Sequence, residues 1–242
     1  MKTLKKTLAI LLFIFAVSCS KDNDVSPAPE PVVEQPISLL TKTIDSDGLI
    51  LTYTYDNIKR LINYKRNSTP NNSARDYNFS YNTDGTLAQI TNVPDGLIVS
   101  RYLYDTDKKI IKKEGRNGID VHDYTYSGNQ VTDKYSFNGV STWIEIYTFD
   151  FSGNLSELKS YNQITAANPN GNLSGTFIYT YDNKKNASLS LPKEYLFPKA
   201  TVNNVATEKY NSNPIYTYNY EYNEKGYPSK RITSYTRSYE YQ

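Results

Sequence analysis

One histidine, His122, and one cysteine, Cys19, are all the imidazole and thiol chemistry that the 242 residues contain. A Ser-His-Asp or Cys-His nucleophile system would have to use His122. That residue stands in Val121-His122-Asp123-Tyr124 with no activated-nucleophile pattern around it, and reads as a structural or surface histidine leading into a strand. A zinc site of the Cys and His type lacks ligands, and an intrachain disulfide is impossible. Asp45-Ser46-Asp47-Gly48 and Asp105-Thr106-Asp107 open like calcium loops but carry none of the remaining ligands, so both read as hairpin turns. Acidic residues at many strand ends leave room for the carboxylate pair of a glycoside hydrolase, whose separation depends on the fold. No catalytic residue, metal or cofactor is assigned on this basis, and no pattern marks the chain as an enzyme.

What the chain has in quantity is tyrosine: 24 of them, with 8 Phe and 1 Trp. Such a composition, with Thr and Asn between the aromatics, favours strands over helices. In Tyr216-Thr217-Tyr218-Asn219-Tyr220-Glu221-Tyr222 the aromatics alternate with polar residues, and Tyr147, Phe149 and Phe151 alternate with Thr148 and Asp150 in the same way. One face of the sheet is therefore apolar and the other, of Thr, Asn, Lys and Glu, faces water. A membrane-spanning barrel needs an apolar band toward lipid, so the aromatic face must instead turn inward. Trp143 shares the parity of Tyr147 and is placed in the core. Phenols buried there need partners, which predicts a partly polar interior.

The elements that carry these faces repeat. Units begin at Tyr53-Thr54-Tyr55-Asp56, Phe79-Ser80-Tyr81-Asn82, Tyr102-Leu103-Tyr104-Asp105, Tyr124-Thr125-Tyr126-Ser127, Tyr147-Thr148-Phe149-Asp150, Tyr179-Thr180-Tyr181-Asp182 and Tyr220-Glu221-Tyr222-Asn223. Each runs through a polar turn, as in Asn82-Thr83-Asp84-Gly85, into a second apolar segment. Asp or Asn opens such a turn and Gly supplies its positive φ. Seven hairpins predict an all-β antiparallel meander of about 14 strands, rolled into a barrel-like or strongly curved, partly closed sheet over residues 39–242. The unit spacing lengthens from 22–26 residues to 32 and then 41, because of insertions at residues 162–175 and 189–213. These are candidates for function or for covering a sheet end.

Ahead of the repeats, Lys2, Lys5 and Lys6 precede an apolar run from Leu8 to Val17, too short to span a bilayer. The following Ala16-Val17-Ser18-Cys19 resembles the lipobox of bacterial lipoproteins, which implies a signal peptide over 1–18 and a lipidated Cys19 as the membrane anchor. Without that peptide 24 basic residues face 25 acidic ones, so nothing favours nucleic acid as a partner. Ser20-Lys21-Asp22-Asn23-Asp24 resembles the surface-export signal of Bacteroidota-type lipoproteins. The Pro-rich stretch to residue 38 reads as an extended tether. The Tyr-x-Tyr-Asp grammar looks like the YD repeats of large bacterial surface proteins. Together with the lipobox, the tether and the C-terminal Asn213 to Pro228 segment it resembles a Bacteroidota lipoprotein family of unknown function with a porin-like fold. That resemblance implies an outer-membrane, surface-exposed location and no catalytic residue. The leading functional reading is a lipid-anchored, non-enzymatic binding module for a glycan or peptide. The alternative is a structural or assembly protein of the outer envelope that binds another protein, and a hydrolase comes third.

Overall fold

The computed structural model describes residues 37–242. The expected signal segment 1–18, Cys19 and the tether up to residue 36 lie outside the described residues. The strands are β1 (Leu40–Asp45), β2 (Ile50–Tyr55), β3 (Leu61–Arg66), β4 (Arg75–Tyr81), β5 (Leu87–Asn92), β6 (Ile98–Tyr104), β7 (Ile110–Gly115), β8 (Asp120–Ser127) and β9 (Gln130–Phe137). They continue as β10 (Val140–Phe149), β11 (Leu155–Asn162), β12 (Asn172–Lys185), β13 (Asn203–Tyr210), β14 (Tyr216–Thr217), β15 (Asn219–Tyr222), β16 (Pro228–Ile232) and β17 (Thr236–Tyr241). The seven hairpins supply fourteen of these, and β1, β14 and β17 are the additions. Neighbours pair antiparallel along the chain, and β1 pairs with both β2 and β17, so the meander returns on itself as one nearly closed, barrel-shaped sheet. The break at Tyr218 passes the chain from β13, the partner of β14, to β16, the partner of β15.

Local chemistry explains the hairpins. At Asp45, Asp56, Asn82, Asp105, Asp150 and Asn223 the backbone N–H donates to the carbonyl four residues on, and the carbonyl accepts from the N–H three residues on. At Asp56, Asp105, Asp150 and Asn223 the side-chain oxygen also accepts backbone N–H groups of the turn, two and four residues ahead. The fourth turn residue has positive φ: it is Gly85, Gly153 or Gly226 in some turns, but Lys59 and Lys108 in others.

In five of the seven units the second tyrosine has a specific task, which Tyr241 of β17 shares. Its hydroxyl donates to the carbonyl of the first residue of the preceding strand: Tyr55 to Leu40, Tyr81 to Leu61, Tyr104 to Leu87, Tyr126 to Ile110, Tyr181 to Leu155 and Tyr241 to Pro228, all between 2.6 and 2.8 Å. In the seventh unit Tyr222 donates instead to the Asp182 carboxylate. The side chains of Leu61 and Leu87 are fully buried, so each phenol satisfies a carbonyl at the point where an apolar residue anchors the strand. In β10 the position is Phe149, which has no hydroxyl to donate. Tyr81→Phe is expected to lower the unfolding free energy by about 0.5–1.5 kcal/mol, read as a shifted urea midpoint at constant slope. An unchanged midpoint would mean that water serves the Leu61 carbonyl equally well.

The aromatic face lies inside. Leu61, Phe79, Leu87, Tyr102, Tyr124, Tyr147 and Leu158 form one buried cluster. The insertion after β12 completes it: a short turn of helix at Lys193–Leu196 and its flanks send Leu191, Tyr195 and Phe197 into the interior. Tyr195 meets Phe79 edge-on at 5.3 Å and Phe197 meets Tyr124 edge-on at 4.9 Å. Ser190 fixes the entry of this plug, accepting from the Leu40 N–H at 3.0 Å and bonding the Tyr55 hydroxyl at 3.1 Å. Part of the 189–213 insertion thus fills the interior and its later part is β13. The 162–175 insertion only lengthens the β11–β12 hairpin. Outside, Lys42–Glu240, Lys65–Asp76, Lys112–Asp123 and Lys230–Glu221 are ion pairs between residues directly opposite on neighbouring strands, a surface suited to water.

Two aromatics depart from the parity reading. Trp143 is 39% exposed rather than in the core. It lies four residues before buried Tyr147, near the start of the ten-residue β10, where Tyr135 covers one face at 3.9 Å. Phe151 is fully exposed because it belongs to the turn after β10, where strand alternation has ended.

Candidate functional site

Four strands lay one row of residues across the interior in register. Tyr220 of β15 is opposite Arg231 of β16, Arg231 is opposite Arg237 of β17, and Arg237 is opposite Asp45 of β1. Asp45 and Arg237 form a two-pronged ion pair, Nε to Oδ1 at 2.5 Å and Nη2 to Oδ2 at 2.6 Å, with the carboxylate almost wholly buried. This bond holds the Arg237 guanidinium above its ordinary pKa. So Asp45, the first aspartate of one calcium-like loop, is spent on an arginine. Asp47 of the same loop accepts the Leu49 N–H, and Asp105 of the other accepts the Asp107 and Lys109 N–H groups, both in turns.

Next to this row is a cavity of about 360 Å³, walled by β1, β2, β15 to β17 and the plug. That size falls within the range of small-ligand sites. Its walls are phenolic: Tyr53 and Tyr64 approach with ring centres at 5.6 Å, the plug's Tyr195 lies 6.3 Å from Tyr64, and Tyr218, Tyr220 and Tyr239 stand opposite. Burial pushes Tyr195 and Tyr218 up to about 12, and pushes Tyr53 in the same direction. Tyr218 and Tyr220 spend their protons on the Glu208 carboxylate and the Val205 carbonyl and keep only acceptor capacity, whereas a protonated phenol such as Tyr53 or Tyr195 offers a donor and an acceptor, the complement of a polyhydroxylated ligand. Two polar atoms on this cavity are enclosed without a hydrogen-bond partner, Thr43 Oγ1 and Arg231 Nε. The Tyr53 hydroxyl lies beside Thr43 but outside hydrogen-bonding geometry.

His122 occupies a different part of the interior. Its Nδ1 lies 2.9 Å from the carboxylate of buried Asp133, and its ring is parallel to Tyr124 at 6.1 Å. Lys113 is nearby, its ammonium pKa lowered by burial and supported by the Asp133 charge. Glu145 is the register partner of Asp133 and accepts the Tyr147 hydroxyl. These two carboxylates are opposite each other on β9 and β10, and neither lines the cavity.

Sequence reasoning passed over Thr43, Arg231 and Arg237, although one signal was present. In Arg237-Ser238-Tyr239-Glu240-Tyr241 the arginine shares the parity of the inward tyrosines, as Asp133 shares that of Val131 and Tyr135. A charge on the aromatic parity is an inward charge.

No protein-family model matches the chain, and no curated protein is detectably similar. Among solved structures the chain is similar to the crystal structure of a porin-like protein from Bacteroides uniformis, with 16% identity, covering 84% of this chain and 95% of that one at a TM-score of 0.52. A porin-like protein from Bacteroides vulgatus matches at 13% identity over 85% of this chain and 99% of that one, with a TM-score of 0.46. The first match gives the class of fold, a porin-like antiparallel barrel. At this identity the likeness is one of architecture.

Proposed function

We propose that the protein is a non-enzymatic binding module, lipid-anchored at Cys19 on the outer face of the outer membrane, which holds a glycan in its tyrosine-walled interior cavity. The observation that carries this reading is the cavity itself, walled by tyrosines, with Thr43 and Arg231 among the residues that line it. The lipobox-like Ala16-Val17-Ser18-Cys19 supports the anchor and the acidic residues behind it support export. The porin-like architecture of the Bacteroides neighbour fits an envelope protein.

The test is a thermal-shift screen of residues 37–242 against neutral and acidic sugars and short peptides. A ligand at about 100 times its Kd adds roughly 2.7 kcal/mol and raises the melting temperature by several degrees. A sugar hit abolished by filling the cavity establishes the reading. A cooperative melt that no sugar moves overturns it in favour of an envelope-protein partner. For the anchor, Cys19→Ala is expected to release the protein from the membrane fraction of cells.

A further inference from the structure

The cavity is electrically unbalanced. Two guanidinium groups face each other across β16 and β17, and only one carboxylate stands in their row. Asp45 is committed to Arg237 through two short bonds. Among the described residues Arg231 makes no ion pair. Its one side-chain hydrogen bond goes to the Tyr235 hydroxyl at 3.2 Å, and its charge lies over the rings of Tyr218 and Tyr235 at 5.8 and 5.6 Å. The Glu208 carboxylate on the far side of Tyr218 is taken by the Tyr218 hydroxyl at 3.1 Å. Arg231 Nε is a donor only, enclosed, and without an acceptor. Thr43, which is 2% exposed, lines the same cavity.

Like charges directly opposite in a sheet are destabilising, and a guanidinium that has no counter-charge and one nitrogen enclosed without an acceptor adds to that cost. The row Asp45, Arg237, Arg231 alternates in sign up to its last member and stops there. One oxyanion beside Arg231 would balance the second guanidinium as Asp45 balances the first. We infer that the cavity takes a carboxylate-bearing sugar, a uronic acid residue, whose carboxylate binds Arg231 and whose hydroxyls meet the phenols. This rests on the glycan-binding reading and names its ligand class. Arg suits such a site because its planar fork grips a carboxylate through two parallel bonds, and the flanking aromatic faces hold the guanidinium plane in place.

The experiment is calorimetric titration of the full chain in detergent with glucuronate, glucose and acetate, for the native protein and for Arg231→Gln and Arg231→Lys. Glucuronate is expected to bind more tightly than glucose or acetate, and Arg231→Gln to weaken it about ten- to hundredfold, as loss of a charge-assisted pair does. Arg231→Lys keeps the charge but not the fork and should fall between the two. The melting temperature without ligand separates this from a structural role: an arginine kept for a ligand can be replaced by Gln with no loss, or with a gain, whereas a structural arginine cannot. Equal binding of glucose and glucuronate overturns the inference and leaves the glycan reading standing. Acetate binding as tightly as glucuronate identifies a bare oxyanion site and overturns the sugar. Binding by none of the three overturns both readings. Retained glucuronate affinity in Arg231→Gln, or a lowered ligand-free melting temperature, overturns the assignment to Arg231.

Discussion

Above pH 10 the protein is expected to unfold in one steep step and release many phenolic protons together. Burial is the leading cause: it pushes Tyr55, Tyr195 and Tyr218 up to about 12, and drives Tyr81, Tyr102, Tyr104, Tyr124 and Tyr181 in the same direction. In the unfolded chain these phenols ionise near pH ~10. A group whose pKa folding raises keeps its proton in the native state after the unfolded state has lost it. Stability is therefore intact below pH ~10 and falls as the pH climbs toward the folded values. Each well-buried phenol removes up to about 1.4 kcal/mol per pH unit in that window. A handful acting together exceeds the ~5–15 kcal/mol by which domains are normally stable. The bond from each repeat tyrosine to a strand carbonyl acts as a latch and makes the loss cooperative, because the phenols at Leu61, Leu87 and Leu155 donate to carbonyls that a phenolate would repel. Phenolate absorbance and circular dichroism recorded on one titration check this. Smooth ionisation near pH ~10 with the sheet intact would show that the aromatic face is open to water.

The second large effect is at Asp45. Asp45→Asn keeps the shape of the side chain but leaves the Arg237 guanidinium buried without its counter-charge, directly opposite Arg231. Breaking a buried pair from one side costs about 3–5 kcal/mol, and chemical denaturation of the variant is expected to show a loss of that size. Asp45→Asn combined with Arg237→Met is expected to recover most of it, since the uncompensated charge goes too. The pair also bridges the ends of the fold, 192 residues apart in sequence, so the single variant should fray β1 from β17 first. A loss below about 1 kcal/mol would assign the pair the modest worth of an exposed salt bridge.

These consequences trace to a repeat that is written locally. Tyr-x-Tyr places two aromatics on one face, Asp or Asn folds its own backbone into the turn, and a positive-φ residue closes it, all within about ten residues. The seven hairpins and the inward aromatic face were legible for that reason. The latch was half legible: the sequence contains tyrosine where phenylalanine would serve for packing, but the acceptor is a backbone carbonyl on another strand, which no residue type announces. Trp143 and Phe151 mark where parity fails, at a strand end and in a turn. The candidate cavity shows the same division. The parity of Arg237 and Asp133 with their neighbouring tyrosines is a signal that sequence reasoning passed over, and the partners of either required the fold.

The repeating unit, the sidedness of its strands and the places where the repeat is interrupted are all written in the residue order, because they depend on contacts between residues close in the chain. Three features come from the folded chain alone: β1 closes onto β17, the segment carrying Leu191, Tyr195 and Phe197 turns inward as a plug, and Asp45 neutralises Arg237 while Arg231 stays uncompensated. Closure joins Leu40 to Tyr241, and such long-range pairings depend on the number, tilt and curvature of every strand between them, which no local pattern encodes.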